Sequence, residues 1–331
     1  MFNKTEGENM QKVLVSASHF DTLCQDAWKL FEEHHLEVIY DPGKEFPAYS
    51  TEEIRAMGDR EEFAAALIGM DDYRDEEKYR LLPNLKAVAK FGVGVDNVDI
   101  AMAKRHGVRV LNAPGQNSNA VAELTVGFII DVLRHIVPLH EKMTEGKWPR
   151  VMGSEMKGKT VGLVGFGAIA RLVAEKLRGF DVQILAFDLY PDRKEAERLG
   201  VKMTTLDHVV KESDVISLHV PATKDNVHQF NSDMFAKMKD GAYLINAARG
   251  ALVDLDDLAE AIQSGKIAGA ALDAFETEPL PLDSPILACS NIVLTPHTGA
   301  ETVESYYNVS MTTAKDIIAV LEGRKPVHAV G

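Results

Sequence analysis

The chain has 331 residues, which at roughly 150 residues per domain gives two domains. With 46% hydrophobic and 26% charged residues, it reads as a globular protein that buries its cores without metal or disulfide staples. The formal net charge is −14, and residues 1–80 hold 19 Asp/Glu against 9 Lys/Arg, so nucleic acid and anionic membrane surface are poor partners.

Short apolar and β-branched runs alternate with amphipathic stretches from end to end. Lys12–Ala17, Leu36–Asp41, Ala66–Met70, Leu85–Phe91 and Val108–Ala113 read as strands. Thr22–His34 and Ile100–His106 read as helices between them. Ser118–Glu145 reads as one long helix capped by Ser118 or Asn119 and kinked or ended at Pro138. It is apolar nearly all round, which requires burial on more than one side. A homodimer interface is the expected second surface, with burial between the domains as the alternative. A second strand series follows: Thr160–Phe166, Val182–Asp188, Val215–Val220, Ala242–Ala247, Ala268–Ala274 and Asn291–Thr295. Strands apolar on both faces predict an α/β class, with two doubly wound parallel sheets covered by helices.

Cys24 and Cys289 cannot build a disulfide framework, so a reducing cytoplasmic compartment is expected, with each thiol a buried small residue. The N-terminal MFNKTEGENMQ has no apolar signal core. The charge-free stretch Ser284–Ala300 is broken by Pro, Asn, Ser and Thr and is no membrane helix. The 11 histidines show no zinc-ligand spacing, so no metal is expected.

The sharpest motif is Val161-Gly-Leu-Val-Gly-Phe-Gly-Ala-Ile-Ala170, between a strand signal and a helix signal. Gly165 makes a tight turn, Gly167 lets backbone approach a pyrophosphate, and Ala170 permits close helix–strand packing. The helix start offers free N–H groups to phosphate. Asp188 closes the next strand, 18 residues after Ala170. Its carboxylate suits ribose hydroxyls and repels a 2′-phosphate, which favours NAD over NADP.

Further motifs extend along the chain: Phe91-Gly-Val-Gly-Val-Asp-Asn-Val-Asp99, Asn112-Ala-Pro-Gly-Gln-Asn-Ser-Asn-Ala-Val-Ala-Glu-Leu-Thr125, Asn246-Ala-Ala-Arg-Gly250, Asp273-Ala-Phe-Glu-Thr-Glu-Pro279 and Thr295-Pro-His-Thr-Gly-Ala300. With these the chain resembles the D-isomer-specific 2-hydroxyacid dehydrogenases over nearly its whole length. Within that family it is most similar to phosphoglycerate dehydrogenase-like members without a regulatory domain, since it ends at Gly331 after the closing helix. The resemblance implies a Rossmann NAD domain, residues 114–300, inserted into a flavodoxin-like substrate-binding domain, residues 1–113 and 301–331.

The resemblance also implies roles for individual residues. Arg249 binds the substrate carboxylate and polarises the reacting carbon–oxygen bond. His297 is the acid/base and Glu278 its anionic partner. Formate dehydrogenases of this fold carry Gln at that place, so Glu278 argues against formate. Val93, Gly165, Gly167, Ala168, Ile169, Asp188, Val220, Ala247, Ala248, Arg249, Asp273, His297 and Gly299 line the cofactor, with Asp273 holding the nicotinamide amide. Val93, Gly94, Arg249 and Lys90 meet the substrate. From the residues alone, Arg beside Gly at a strand end can hold a carboxylate, and His suits proton exchange near neutral pH.

The substrate expectation is a small anionic 2-hydroxy or 2-keto acid, with 3-phosphoglycerate first and glyoxylate or hydroxypyruvate as the alternative. The resemblance to phosphoglycerate dehydrogenases implies that the segment after the third substrate-domain strand supplies basic residues to the phosphate; here that segment, Gly69-Met-Asp-Asp-Tyr-Arg-Asp-Glu-Glu77, is acidic, with Arg74 its only cation, which weighs against a phosphate. Lys90, or Lys147 or Arg150 reaching across a dimer, could supply the missing charge. Trp148 could wall a partner's site, or simply pack. An NAD(H)-sensing corepressor-like binding protein of the same fold is the alternative of another class.

Overall fold

The computed structural model describes residues 10–44 and 48–331. The chain divides into two compact units: the described part of Met1–Asn117 with Glu301–Gly331, and Ser118–Ala300. Strands β1 (Gln11–Val15), β2 (Leu36–Tyr40), β3 (Phe63–Ile68), β4 (Ala87–Lys90) and β5 (Arg109–Leu111) lie in the first unit. Strands β6 (Thr160–Val164), β7 (Gln183–Phe187), β8 (Lys202–Met203), β9 (Val215–Leu218), β10 (Ala242–Asn246), β11 (Ile267–Leu272) and β12 (Ile292–Leu294) follow in the second. The chain then returns to the first unit and adds β13 (Ala329–Val330).

The first sheet runs β13-β5-β4-β3-β1-β2 and the second β12-β11-β10-β9-β6-β7-β8. Both are doubly wound, with the strand order reversing beside β1 and beside β6 respectively. Every pairing is parallel except β13 with β5, which is antiparallel. β8 and β13 are two residues each, too short for an apolar run, and the sequence expectation omits both. β3 is buried at all six positions, as a strand covered on both faces must be. In the first unit Phe20, Phe31, Tyr306 and Ile317 cover one face, and Ile54, Tyr73, Tyr79 and Leu82 the other. In the second, Phe128, Val132 and Val173 cover one face, and Phe230, Phe235 and Leu258 the other. Each such side chain contributes about 1.5–3 kcal/mol on leaving water.

The expected helix Ser118–Glu145 is two helices, Ser118–Arg134 and Ile136–Thr144. The break falls at His135, in the left-handed region at φ 55°, and not at Pro138. Pro138 sits instead in the first turn of the second helix, where its missing N–H has no partner to lose. The all-round apolar pattern is also only half buried. Val121, Phe128, Ile129, Val132 and Leu133 face the core, but Ile136–Thr144 has no buried residue. The expected helix Thr22–His34 likewise splits into Phe20–Leu23 and Gln25–Glu33. Cys24 and Cys289 are both buried, and burial pushes the Cys24 thiol up to about 11.

Candidate active site

Parallel strands send their carboxyl ends to one edge, where open α/β sheets bind ligands. In the second unit that edge carries, in sheet order, the Thr295–Gly299 turn, Asp273, Ala247, Val220, Gly165 and Asp188. Gly165 has φ 96°, and a Cβ there would lie 2.7 Å from the His219 carbonyl oxygen. Only glycine satisfies both limits. Gly167 begins the helix Ala168–Leu177 with no side-chain cap, and a Cβ there would meet nothing within 4 Å. Open space therefore lies over uncapped helix N–H groups, which fits a pyrophosphate. Ala170 is fully buried behind the turn, and Ile169 packs partly into the same core.

Asp188 accepts the Phe166 amide at 2.7 Å and the Tyr190 amide at 2.8 Å. Each carboxylate oxygen keeps a lone pair that can accept a ribose hydroxyl. Asp188 thus also builds the glycine turn. His219, between Ser217 and Val220, is held by the Ser217 hydroxyl at 3.0 Å. Burial lowers its pKa to about 4, which favours the neutral ring.

At the other end of the edge, β10, β11 and β12 present three turns. Asn246 is 1% exposed. Its side chain accepts the Ala248 amide at 3.1 Å and donates to the Arg249 carbonyl at 2.9 Å. This side-chain turn delivers Arg249, whose guanidinium donates to the Ala248 carbonyl at 2.8 Å. Gly250 then packs so tightly that a Cβ would fall 1.9 Å from the Phe275 carbonyl carbon. Glu278 ends the β11 turn and accepts the Phe275 amide at 2.9 Å. His297 follows β12 at φ 55°, its amide donating to the Thr295 carbonyl at 2.9 Å.

His297 Nδ1 lies 3.0 Å from Oε1 and 3.0 Å from Oε2 of Glu278. The Glu278 hydrogen bond raises the His297 pKa, reinforced by the Glu278 and Asp273 charges and opposed by burial and Arg249. For Glu278, burial pushes the pKa up. The hydrogen bonds from His297 and the Phe275 amide, with the His297 and Arg249 charges, outweigh it and leave the carboxyl below its usual range. The pair is the carboxylate–imidazole arrangement of an oriented general acid/base.

Asp273 is 2% exposed. Its Oδ1 accepts the Thr295 hydroxyl at 2.6 Å and the Thr298 amide at 2.7 Å, and its Oδ2 accepts the Gly299 amide at 2.8 Å. A Cβ on Gly299 would lie 2.9 Å from that Oδ2. Asp273 therefore braces the turn that presents His297, a role that individual sequence motifs do not show. Asn246 was also missed as an individual residue, although an Asn three residues before Arg249 at a strand end is a side-chain turn signal.

Lys90, Val93 and Gly94 lie in the first unit, whereas Lys147, Trp148 and Arg150 lie in the second, exposed. Gly92 follows β4 with φ 146°, a backbone that favours glycine. Its carbonyl accepts the Ala113 amide at 2.8 Å, and the Val93 carbonyl accepts the Asn112 side chain at 2.8 Å. Val93 is exposed and Gly94 half-buried. Lys90 donates Nζ to the Gly69 carbonyl. The acidic segment before it is internally compensated. Asp71 is buried, hydrogen-bonded by Ser16 and by the Tyr49 amide at 2.7 Å. Arg74 holds Asp72 through Nε and Nη2, each at 2.9 Å. Asp75 accepts the Thr51 hydroxyl at 2.7 Å. Lys78 is buried and donates to the Tyr49 carbonyl at 2.6 Å.

Residues 126–299 match the family model described as D-isomer specific 2-hydroxyacid dehydrogenase, NAD binding domain. That match covers both glycines, Asp188, Arg249, Glu278 and His297. The chain belongs to the D-isomer specific 2-hydroxyacid dehydrogenase family. It is an NAD-dependent oxidoreductase of that family. A glyoxylate reductase from Thermofilum pendens is 40% identical over 298 residues, 88% of this chain and 87% of that protein. A D-3-phosphoglycerate dehydrogenase from Archaeoglobus fulgidus is 37% identical over 321 residues, 96% of this chain. The chain spans 59% of that longer relative. The solved structure of TT0316 protein from Thermus thermophilus superposes with TM-score 0.86 at 32% identity, covering 97% of this chain and 100% of that one. Among the described residues, no helix is long and apolar enough to cross a membrane.

Proposed function

We propose that this dehydrogenase interconverts a short 2-keto acid and its D-2-hydroxy acid, with glyoxylate or hydroxypyruvate ahead of 3-phosphoglycerate. The observation that carries this order is the acidic Gly69–Glu77 segment, whose single cation, Arg74, faces Asp72 at 2.9 Å through two nitrogens. Carboxylates therefore dominate this segment, and Lys78, just beyond it, is buried on the Tyr49 carbonyl. The 40% identity to a glyoxylate reductase supports the same order. Lys90, beside the glycine loop, and the 37% identity to a D-3-phosphoglycerate dehydrogenase keep 3-phosphoglycerate as the second reading.

In this reading the first unit is the substrate-binding domain, and its Val93–Gly94 loop, with Lys90, receives the acid. Gly165, Gly167, Ala168, Ile169 and Asp188 hold NAD, with Val220, Ala247, Ala248, Asp273 and Gly299 along the same strand-end edge. NAD, when bound, supplies a nicotinamide ring that accepts or returns hydride. Arg249 grips the carboxylate as a bidentate donor and polarises the carbon–oxygen bond. Glu278 keeps the His297 Nδ1 proton in place, so Nε2 is the atom that takes the hydroxyl proton in oxidation and returns it in reduction. A homodimer completes the reading. Ile136, Met143, Trp148, Val151 and Met152 are 47–91% exposed on one consecutive stretch of the second unit, and a run of exposed apolar side chains is what a subunit interface would cover. The two buried thiols fit a reducing cytoplasm.

The test is a substrate panel on purified protein: NADH oxidation with glyoxylate, hydroxypyruvate and longer 2-keto acids, and NAD reduction with 3-phosphoglycerate. The reading expects the highest kcat/KM on glyoxylate or hydroxypyruvate, and turnover of 3-phosphoglycerate alone would reverse the order. Lys90→Ala should hurt phosphorylated and unphosphorylated acids alike. Sedimentation should give twice the chain mass.

A further inference from the structure

The second unit holds a histidine–carboxylate cluster outside the reacting groups. His228 sits in the loop after β9 at φ 49°, a conformation an L residue adopts only when its surroundings hold it there. Its Nε2 lies 2.7 Å from Glu276 Oε2 and its Nδ1 3.4 Å from Asp254 Oδ2. Its amide donates to the Ala251 carbonyl at 2.8 Å. These three partners belong to two turns. Ala251 and Asp254 follow Arg249, and Asp254 caps the helix Leu255–Gln263. Glu276 lies two residues before Glu278, in the backbone on which Gly250 packs.

We propose that His228, together with Glu276 and Asp254, is a positioning residue that locks the turn carrying Arg249 to the turn carrying Glu278. The inference rests on the reading of Arg249, Glu278 and His297 as the reacting side chains. Both turns hang from the ends of neighbouring parallel strands, whose ladder stops at Asn246 and Leu272. Beyond that point the two turns meet through the Asp273 amide, which donates to the Asn246 carbonyl at 2.9 Å, and through the close packing of Gly250 on the Phe275–Glu276 backbone. His228, hydrogen-bonded to Glu276 at 2.7 Å and within ion-pair distance of Asp254 at 3.4 Å, adds a side-chain link, and the Glu276 hydrogen bond raises the His228 pKa and so favours the charged form. Asp257, further along the same helix, adds to the negative field around His228. Around His297 the facing charged groups are Glu278, Asp273 and Arg249.

The experiment uses the full-length enzyme with His228→Asn, Glu276→Gln and the double variant. Asn tolerates the left-handed backbone but is too short to span to Glu276. Loosening the turns should lower kcat/KM for the 2-keto acid about ten- to a hundredfold. It should also move the His297 limb of the pH profile to lower pH, because Glu278 then grips His297 less well. NADH affinity, measured by titration, should stay within about twofold, and the double variant should be no worse than the worse single one. Should His228→Asn fail to fold, Glu276→Gln carries the same expectations. An unchanged rate and limb, or a loss that appears equally in NADH affinity, overturns the proposal. A His297→Asn control separates the two readings. If it keeps full activity, the assignment of the reacting groups fails; if it is inactive while His228→Asn is normal, only the clamp fails.

Discussion

His297 Nδ1 stands 3.0 Å from each carboxylate oxygen of Glu278, and this contact sets the pH behaviour. Glu278 raises the His297 pKa above its ordinary 6.5. Reduction needs protonated His297, so its rate should hold above pH 6.5 and fall as pH passes the raised value. Oxidation needs the neutral ring and should rise over the same limb. Glu278→Gln keeps the shape and removes the charge, so both limbs should move to lower pH in kcat/KM profiles. An unmoved limb would sever Glu278 from His297. The sign for folding agrees: the raised His297 pKa contributes stability that is complete below its unfolded value and lost as pH rises through the folded one, while the lowered Glu278 pKa contributes stability that is lost in acid.

Replacing His297 should remove the proton transfer and leave the fold. Because φ is 55°, Asn is the substitution that suits the backbone. His297→Asn should lower kcat about 10²–10⁴-fold in both directions, with NADH affinity retained in a fluorescence titration. A near-wild-type kcat would remove His297 from the chemistry.

Asp188 holds two backbone amides and is proposed to meet the ribose as well, so its substitution should have two effects. Asp188→Ala should narrow the preference for NAD over NADP, because a carboxylate that repels a 2′-phosphate is gone. It should also weaken both cofactors, because the Phe166 and Tyr190 amides lose their acceptor at 2.7 and 2.8 Å. The ratio of the two Kd values, by calorimetry, checks the first effect. An unchanged ratio would rule out the ribose contact.

Much of this was legible in the sequence, for a physical reason. Strands buried on both faces carry continuous apolar runs, so β10 announces itself at Ala242–Asn246, while β3 at Phe63–Ile68 starts three residues before the expected Ala66–Met70 and two-residue β8 and β13 have no pattern to show. Gly165 was legible because only glycine meets so tight a turn, and Asp188 because an acid closing the next strand stands out. The break at His135 was not, because Pro138 is the stronger local signal and a left-handed histidine leaves none. Neither were the partners of Asp273, nor those of Asp71 and Arg74. Spacing shows that carboxylates crowd together, whereas their hydrogen bonds depend on which turns the fold brings side by side.

The last prediction tests the brace beneath His297. Asp273 is an acceptor on both oxygens, taking the Thr295 hydroxyl, the Thr298 amide and the Gly299 amide at 2.6–2.8 Å. Asp273→Asn is nearly isosteric, but its NH₂ group must face one of those donors. A buried donor left without an acceptor costs about 1–3 kcal/mol, and a domain of this size loses about 2–4 °C per kcal/mol. The midpoint of thermal unfolding should therefore fall by several degrees. The turn that presents His297 loosens as well, so kcat should fall even at temperatures where the protein is fully folded. Circular dichroism melts and steady-state rates at 25 °C read the two effects apart. An Asp273→Asn enzyme with both values unchanged would show that the Thr295–Gly299 turn holds its shape without the carboxylate.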